Sequence, residues 1–239
     1  MPTATTQLSE GKSKILFNTD DPDLLICHYK DDATAFNGEK KGQIVDKGVF
    51  NCGISTNIFG LMEAAGIPTH LVQNTSERDQ LVKRLTIVPI EFIVRNVAAG
   101  SLVRRYDIED GTVLSEPMTE FFVKSDPLGD PLIGREAAII LGLVDAKTLE
   151  MGREYSLKVN DILKELFGGL GITLVDFKIE FGFDKDGTLL LADEITPDGC
   201  RLWDTATGEK LDKDRFRKDL GKVEEAYAKV ARLVAGATA

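Results

Sequence analysis

One segment, residues 174–203, constrains the fold most, because LVDFKIEFGFDKDGTLLLADEITPDGCRLW has the pattern of a β-hairpin. In its first half, alternation places the apolar side chains on one face of a strand, namely Val175, Phe177, Ile179 and Phe181. The opposite face then receives the charged side chains Asp176, Lys178 and Glu180. The segment therefore predicts a pair of antiparallel strands with one apolar face and one charged face.

The register of this hairpin decides which charges meet. A two-residue turn at Asp186-Gly187 sets Glu180 directly opposite Asp193, with the carboxylates within about 5 Å of each other. A shift of the loop by one residue on each side pairs Asp193 with Lys178 instead, on the same face. Like charges at that separation repel, so we expect a cation between Glu180 and Asp193.

A plain solvated strand face is the alternative interpretation. Against it, the charged residues continue past the strand, through the turn at 197–199 to Arg201. This continuation favours a metal and anion site. One or two carboxylates acting together with substrate phosphates are typical of Mg²⁺ sites.

The composition excludes several functional classes. The formal net charge of −10 argues against binding to a nucleic-acid backbone, which requires a basic surface. The N-terminus has no apolar signal region, and no apolar run reaches the roughly 20 residues that span a bilayer, so we expect neither secretion nor membrane insertion. Cys27, Cys52 and Cys200 lack CxxC spacing, which argues against a disulfide framework or a zinc cluster and favours the cytoplasm.

The order of elements predicts an α+β fold with antiparallel sheets flanked by helices. Runs of strands separated by segregated helices distinguish this class from an alternating βαβ fold. The chain of 239 residues suits one large domain or two small lobes. Strand patterns occur at 12–30, 67–96 and 118–124 and in the hairpin. Helix patterns occur at 45–65, at 98–107, from an N-cap at Asp145 to about 170, and at 212–220 and 222–235.

A glycine and two lysines open the first strand pattern, in Gly11-Lys12-Ser13-Lys14. The glycine allows a phosphate to approach the backbone, and lysines two apart on a strand point to the same side. The Walker A spacing and its following helix are absent. An exposed pair of edge-strand lysines is the alternative interpretation.

Two further places could hold anions. Arg95 ends an apolar strand, and small residues lead from it to Ser101 at a predicted helix start, where backbone N–H groups and a guanidinium suit a phosphate or carboxylate. Alternatively, Ser101 only caps the helix and Arg95 pairs with a surface acid. Arg201 is another candidate anion ligand, and the loop with Lys124 and Asp130 either lines a cleft or is only a turn.

The inventory of reactive groups points away from nucleophilic catalysis by a side chain. The two histidines, His28 and His70, lie on predicted strands in unrelated contexts, so no Ser-His-Asp or Cys-His arrangement is supported. Acids, lysines, arginines and glycine-rich backbone remain. This inventory suits phosphoryl transfer, in which positioning and electrostatic stabilisation supply most of the catalysis.

With these residues identified, the sequence closely resembles the SAICAR synthetases, the phosphoribosylaminoimidazole-succinocarboxamide synthases of purine biosynthesis, in their compact bacterial form. The resemblance spans nearly the whole chain. Its motifs occur in family order and are GKSKILF, DDATAFNGEKK, VRNVAAGS, KSDPLGDP, LVDFKIEFG and DEITPDGCRLWD.

The resemblance implies an ATP-grasp-like fold with two lobes and the active-site cleft between them. Residues 1–88 would form an ATP phosphate-binding lobe, and residues 89–239 a lobe with the metal and ribonucleotide site. The implied activity is that of a carboxylate-amine ligase, which joins L-aspartate to carboxyaminoimidazole ribonucleotide (CAIR) with ATP and Mg²⁺, through an acyl phosphate. The expected partners are these small molecules and a second copy of the chain in a homodimer.

The same resemblance implies roles for residues on the ATP side. Lys12 and Lys14 would bind the ATP phosphates, and Glu180 and Asp193 would be the Mg²⁺ carboxylates. The hinge that contacts adenine would consist of Lys83, Leu85 and Ile87.

On the ribonucleotide side, the implied CAIR-binding set is Arg95, Ser101, Lys178 and Arg201. Lys178, Arg201 and Asp176 would form the catalytic group, with Asp176 orienting one of the other two. Lys124 and Asp130 would handle the ribonucleotide or the incoming aspartate. Asn37 lies in a loop that resembles a wall of the site, and some relatives have an aspartate there.

Two other functions fit the same charged residues. A kinase of a small phosphorylated metabolite would release ADP without needing an amine. A nucleotide-binding regulatory module would bind ATP equally well after Lys178 or Arg201 is replaced.

Overall fold

Strands dominate the first part of the chain, which contains one long helix, and two further long helices lie in the second part. The computed structural model describes residues 2–35 and 38–238. The first part comprises β1 (Ala4–Glu10), β2 (Lys14–Thr19), β3 (Leu24–Tyr29), β4 (Asp32–Ala35), β5 (Lys40–Gln43), α1 (Lys47–Ala64), β6 (Leu71–Asn74), β7 (Asp79–Lys83) and β8 (Thr86–Ile87). The second comprises β9 (Ile90–Val97), α2 (Ser101–Tyr106), β10 (Val113–Val123), β11 (Leu132–Ile133), α3 (Arg135–Ile140), α4 (Ala146–Gly169), β12 (Ile172–Phe183), β13 (Leu189–Ala192), β14 (Cys200–Asp204), α5 (Asp214–Arg217) and α6 (Val223–Thr238).

The strands form two main antiparallel sheets. One has the spatial order β1-β2-β3-β7-β6, and the other has the order β11-β10-β9-β12-β13, with β8 and β14 also paired to β12. Strands β4 and β5 form a separate hairpin. The predicted α+β class with antiparallel sheets is confirmed, and the lobe boundary near residue 88 stays a prediction.

Strand β1 is an edge strand that the sequence pattern does not predict. All seven of its residues, ATTQLSE, are exposed, and its pairing with β2 contains two register shifts. Because neither face of the strand is buried, no alternation of apolar and polar residues is needed. The helices at 98–107 and 212–220 are also shorter than predicted, since α2 and α5 span six and four residues.

Strand β12 is the centre of the second sheet. It pairs with β9 over Asp176–Ile179, with β13 over Glu180–Phe183 and with β14 over Ile172–Phe177. Its apolar face packs against α4, which begins at the predicted N-cap: the Asp145 side chain accepts a hydrogen bond of 3.0 Å from the Thr148 N–H. This core fixes the backbone that carries the charged face of β12.

Aromatic packing orders this core. The Phe92 ring makes edge-to-face contacts with Phe181 at 5.0 Å and with Phe121 at 5.4 Å between ring centroids. Such pairs contribute about 0.5–1.5 kcal/mol each beyond the area that they bury. Gly152 of α4 is required here, because a Cβ atom would lie 2.6 Å from the Phe92 ring.

The predicted hairpin register is wrong. Glu180 pairs with Ala192, not with Asp193, and Asp193 follows the end of β13, so the shifted register with Lys178 is wrong too. The reason is a three-residue loop in place of the two-residue turn. The Asp184 side chain accepts hydrogen bonds from the N–H groups of Asp186 and Thr188, and Gly187 adopts a φ of 79°.

The prediction that Val175 shares the apolar face of Phe177 is also wrong. The pairing of β12 with β14 shifts between Leu174 and Asp176, which is a β-bulge. As a result Leu174 packs in the main core with Phe177, whereas Val175 packs separately against Val97 and Ala99. The bulge brings Asp176 opposite both Arg95 and Arg201.

The helices of the described ranges, 2–35 and 38–238, include none that is long and apolar enough to cross a membrane.

Candidate active site

A large cavity of about 860 Å³, hereafter the large cavity, is lined by residues of both main sheets. From the first sheet come the predicted residues Lys14 and Lys83, with Lys12 just before β2. From the second come Lys178 and Glu180 of β12. Leu85, between β7 and β8, and Ile87 of β8 also line it. The residues predicted to contact ATP therefore share one cavity.

The centre of the large cavity is a cluster of lysines and carboxylates. The Nζ atom of Lys178 lies 2.7 Å from Oε1 of Glu180, 2.7 Å from Oδ2 of Asp193 and 3.6 Å from Oε1 of Glu91. Lys124 Nζ also lies 2.7 Å from Oε1 of Glu180. Glu180 and Asp193 are thus brought together as predicted, with an ammonium group between them.

Asp193 reaches this cluster because the chain leaves the sheet at this residue. Its φ is 64°, in the left-handed region that aspartate tolerates better than most residues do. Its carboxylate contacts Lys14 of the first sheet as well as Lys178 of the second. One carboxylate therefore links the two walls of the large cavity.

Burial and the neighbouring charges shift the pKa values of these groups in opposite directions. Burial alone would raise the pKa of the Asp193 carboxyl, but the ammonium groups of Lys14 and Lys178 outweigh it and hold that pKa well below its usual range. Burial would lower the pKa of Lys178, but Asp193, Glu180 and Glu91 outweigh it and raise that pKa. Asp193 and Lys178 are accordingly both ionised at neutral pH.

Glu194 differs from its neighbour Asp193. Burial raises the pKa of its carboxyl, and Lys14 Nζ lies 3.6 Å from Oε2, beyond hydrogen-bond distance. Within the described part of the chain, this buried Oε2 atom has no hydrogen-bond partner. Glu194 also lines the large cavity, so it is a buried acceptor beside the lysine–carboxylate cluster.

A small cavity of about 270 Å³, hereafter the small cavity, adjoins the large one. Arg95, Ser101, Asp176 and Arg201 line it, and Lys178 lines both cavities. The predicted ribonucleotide-binding residues therefore converge on one place, next to the residues predicted to bind ATP.

Hydrogen bonds to buried carboxylates fix the arginines of the small cavity. Arg95 donates to Asp176 Oδ2 at 2.6 Å and to Glu120 Oε2 at 2.6 Å, and its third nitrogen lies 3.1 Å from Ser101 Oγ. Arg201 donates to Asp176 Oδ2 at 2.8 Å. Asp176 thus orients Arg95 and Arg201, and the partners of Arg95 are buried rather than surface acids.

The remaining predicted residues lie at the rim of the large cavity. Lys12 Nζ lies 2.6 Å from Oδ1 of Asp126 across the mouth, and both side chains are largely exposed. Lys124 lines the rim, and Asp130 Oδ1 accepts a hydrogen bond of 2.9 Å from the Ser125 N–H. Asn37 lies outside the described residues.

Sequence reasoning missed Glu91, Glu194, Glu120 and Arg105. Glu194 follows Asp193 directly, and its position beside a proposed metal ligand was an available signal. Glu120 interrupts the apolar run MTEFFV in a predicted strand, which is also a signal. Glu91 and Arg105 carry no local signal, because strand and helix packing bring them to the site.

The acids of the large cavity fit a magnesium ion. Carboxylate oxygens of Glu91, Glu180 and Asp193 surround the Lys178 ammonium group, which occupies a position suited to a cation. The unpartnered Oε2 atom of Glu194 adds an oxygen donor. Among the residues that the structure describes, no group of three or more His, Cys, Asp or Glu forms a metal cage. Magnesium held by few carboxylates and by phosphates needs no such cage.

Comparison with known proteins places this geometry in a family. The SAICAR synthetase family model matches residues 7–234. The phosphoribosylaminoimidazole-succinocarboxamide synthase of Magnetococcus marinus is 56% identical over 228 residues, which cover 95% of this chain and 94% of that protein. The same enzyme of Clostridium botulinum is 52% identical over 227 residues, which cover 95% of this chain and 97% of that protein.

Solved structures agree with the sequence relatives. The phosphoribosylaminoimidazole-succinocarboxamide synthase of Ehrlichia chaffeensis superposes with a TM-score of 0.94 and 45% identity, over 96% of this chain and 98% of that one. A SAICAR synthetase in complex with ADP gives a TM-score of 0.92 and 45% identity, over 95% and 97% of the two chains. The resemblance seen in the sequence motifs is thereby confirmed, and the chain belongs to the SAICAR synthetase family.

Proposed function

We propose that this chain is an ATP-dependent carboxylate-amine ligase that joins L-aspartate to the carboxylate of CAIR, giving SAICAR, ADP and phosphate. The observation that carries the proposal is the pair of adjoining cavities, one lined by lysines and acids and the other by arginines, with Lys178 in both. A reaction between a nucleoside triphosphate and a phosphorylated second substrate needs this arrangement.

ATP occupies the large cavity in this proposal. Lys83, Leu85 and Ile87 lie at the adenine end, and Lys12 and Lys14 bind the phosphates. Glu180 and Asp193 hold Mg²⁺, with Glu194 and Glu91 beside them. When bound, the ion neutralises charge on the phosphates that react. A cation held by Glu180 would replace the hydrogen bonds that Lys178 and Lys124 make to it.

CAIR occupies the small cavity, with its phosphate on Arg95, Ser101 and Arg201. Its carboxylate then lies near Lys178, toward the ATP phosphates. Lys178 offsets the repulsion between the two anions, and Asp176 keeps Arg95 and Arg201 in place. Lys124 and Asp130 at the rim are positioned to handle the incoming aspartate.

The chemistry needs no nucleophile from the protein. A CAIR carboxylate oxygen attacks the γ-phosphorus, a new O–P bond forms, and the bond from that phosphorus to the ADP oxygen breaks. The aspartate amine then attacks the acyl carbon, and a C–N bond forms while phosphate leaves with the shared oxygen. The neutral amine gives up one proton to solvent or phosphate and keeps the other as the amide N–H. Positioning and charge stabilisation are the tasks left to the side chains.

An omission assay tests the proposal. The purified chain is supplied with CAIR, ATP, Mg²⁺ and aspartate, and each component is omitted in turn while phosphate release and product mass are followed. We expect phosphate release and the amide product only in the complete mixture. Robust turnover without aspartate would instead identify a kinase, and ATP binding without turnover would identify a regulatory module.

The homodimer and the cytoplasmic location stay predictions, which gel filtration and cell fractionation would test.

A further inference from the structure

Strand β10 contains a buried carboxylate with no role in the function described above. In this fully described strand of 11 residues, Glu120 is the one buried residue, and the others are half-buried or exposed. A buried carboxylate is strongly disfavoured unless charged partners compensate for its lost hydration. The partners of Glu120 therefore indicate why it is there.

The two oxygens of Glu120 are divided between two arginines. Oε2 accepts the 2.6 Å hydrogen bond from Arg95 Nε, and Oε1 accepts a hydrogen bond from Arg105 Nη2. Ser101 Oγ lies 3.1 Å from a nitrogen of each arginine. One carboxylate and one hydroxyl thus hold Arg95 and Arg105 side by side.

Arg105 lies beside two residues that line the small cavity, Ser101 and Phe122. Its guanidinium carbon lies 5.7 Å from the centre of the Phe122 ring, and Phe122 lines that cavity. Its side chain is 25% exposed, so part of it is open to solvent. Among the described residues, its Nε atom is buried and has no hydrogen-bond partner.

Positive charge is in excess among the side chains that contact Glu120 and Asp176. Glu120 and Asp176 are two acids against the three arginines Arg95, Arg105 and Arg201. Asp214 also contacts Arg201, and it pairs in turn with Arg217, so including this pair leaves the excess unchanged. A dianion with several oxygens, such as a phosphate monoester, would satisfy the excess charge and the free N–H groups.

We propose that Arg105 is a further binding residue for the substrate phosphate and that Glu120 is a positioning residue that holds Arg95 and Arg105 together. This inference rests on the proposed function and deepens it. Arg105 thereby contributes to the preference for a phosphorylated ribonucleotide over the matching nucleoside.

The test compares CAIR with its unphosphorylated nucleoside as substrates, at saturating ATP and aspartate. For Arg105→Ala we expect the CAIR KM to rise by about tenfold or more, with kcat and the ATP KM within about twofold of wild type. The KM for the nucleoside should change little, so the preference for CAIR over the nucleoside should fall by the same factor. Arg104→Ala is the matched control, because Arg104 is an exposed neighbour on the same helix and should leave the preference unchanged.

Glu120→Gln keeps the size of the side chain and removes its charge, and combining it with Arg105→Ala tests whether Glu120 acts through Arg105. We expect the double variant to lose less preference than the product of the two single losses. Should Glu120→Gln not fold, as judged by circular dichroism, the Arg105→Ala and Arg104→Ala comparison decides alone. The inference is overturned by an Arg105→Ala preference equal to wild type, or by losses that multiply. Failure of the wild-type chain to turn over CAIR would overturn the proposed function as well.

Discussion

The Nζ atom of Lys178 lies 2.7 Å from Oδ2 of Asp193, although Asp193 follows the end of β13 and is not paired with Lys178 in the hairpin. Asp193 also contacts Lys14 from the other sheet. The Asp193 carboxylate therefore compensates two partly buried ammonium groups, one of which, that of Lys178, lines both cavities. Loss of its charge should affect function more than any other single change in the large cavity.

We expect Asp193→Asn to lower kcat by at least about 100-fold, because two lysines and the proposed metal site lose their shared anion. Steady-state turnover across a Mg²⁺ titration measures the effect, and circular dichroism checks the fold. Asp186→Asn, on the exposed hairpin loop, is the control and should retain wild-type turnover. A fold lost at the assay temperature, with no folded but inactive protein, would contradict the placement of Asp193 in the site.

Gly100 permits the position of Arg201. It adopts a φ of 58°, and an added Cβ atom would lie 2.5 Å from Arg201 Nη2. Gly100→Ala should therefore displace the guanidinium and raise the CAIR KM by about 10- to 100-fold, with the ATP KM nearly unchanged. The control is Gly60→Ala in α1, where an added Cβ meets nothing within 4 Å. Equal CAIR KM values in the two variants would show that Arg201 does not hold the ribonucleotide.

His70 should make the protein sensitive to mild acid. Burial, with Lys14 nearby, lowers the pKa of the His70 imidazole to about 3, from 6.5 for the free side chain. The His70 imidazole therefore binds a proton more readily in the unfolded state than in the folded state. Its neutral form contributes to stability above pH 6.5, and this contribution is lost as the pH falls toward 3. We expect this site to lower the free energy of unfolding by about 1.4 kcal/mol per pH unit once the pH is well below 6.5.

Denaturant unfolding between about pH 6.5 and pH 5 measures this slope. The sequence contains two histidines, so His28→Leu is a matched control for His70→Leu. His70→Leu should flatten the pH dependence relative to His28→Leu, which keeps the buried imidazole of His70. The same slope in His70→Leu as in wild type would assign the acid sensitivity to other groups.

Lys47 supports the turn beside the site. It is fully buried, and its Nζ atom lies 2.7 Å from Oδ2 of Asp198, which lines both cavities. Lys47→Met leaves the buried Asp198 with Tyr227 at 2.6 Å and the more distant Lys213 at 3.7 Å. We expect a loss of about 3–5 kcal/mol in the free energy of unfolding, measured with urea. The exposed Lys147→Met should change it by less than about 0.5 kcal/mol, and a similarly small loss for Lys47→Met would contradict the role given to this pair.

The sequence predicts the charged face of β12 well, because side chains alternate along any strand. Lys178 and Glu180 could be placed together without knowing the register, whereas the register itself depended on a loop. A two-residue and a three-residue loop differ little in free energy, and here the Asp184 side chain selects the longer one. The bulge at Val175 is set by the pairing with β14, which no local pattern encodes.

Three of the four residues missed at the site share one property: tertiary contacts bring them there. Glu91 and Glu120 come from neighbouring strands of the second sheet, and Arg105 comes from a short helix. Each is far in sequence from the charged hairpin, and single-sequence patterns report only local neighbours. The motif resemblance supplied the substrates, since the geometry alone identifies only two adjoining anion sites.

An oxygen-transfer experiment tests the central claim most directly. CAIR carrying ¹⁸O in both carboxylate oxygens is turned over with unlabelled ATP, Mg²⁺ and aspartate, and the released phosphate is analysed by mass spectrometry. If the carboxylate attacks the γ-phosphate, each phosphate carries one ¹⁸O atom and the other remains in the amide product. Phosphate without ¹⁸O, released together with the amide product, would contradict the acyl phosphate route and the placement of the two substrates across Lys178.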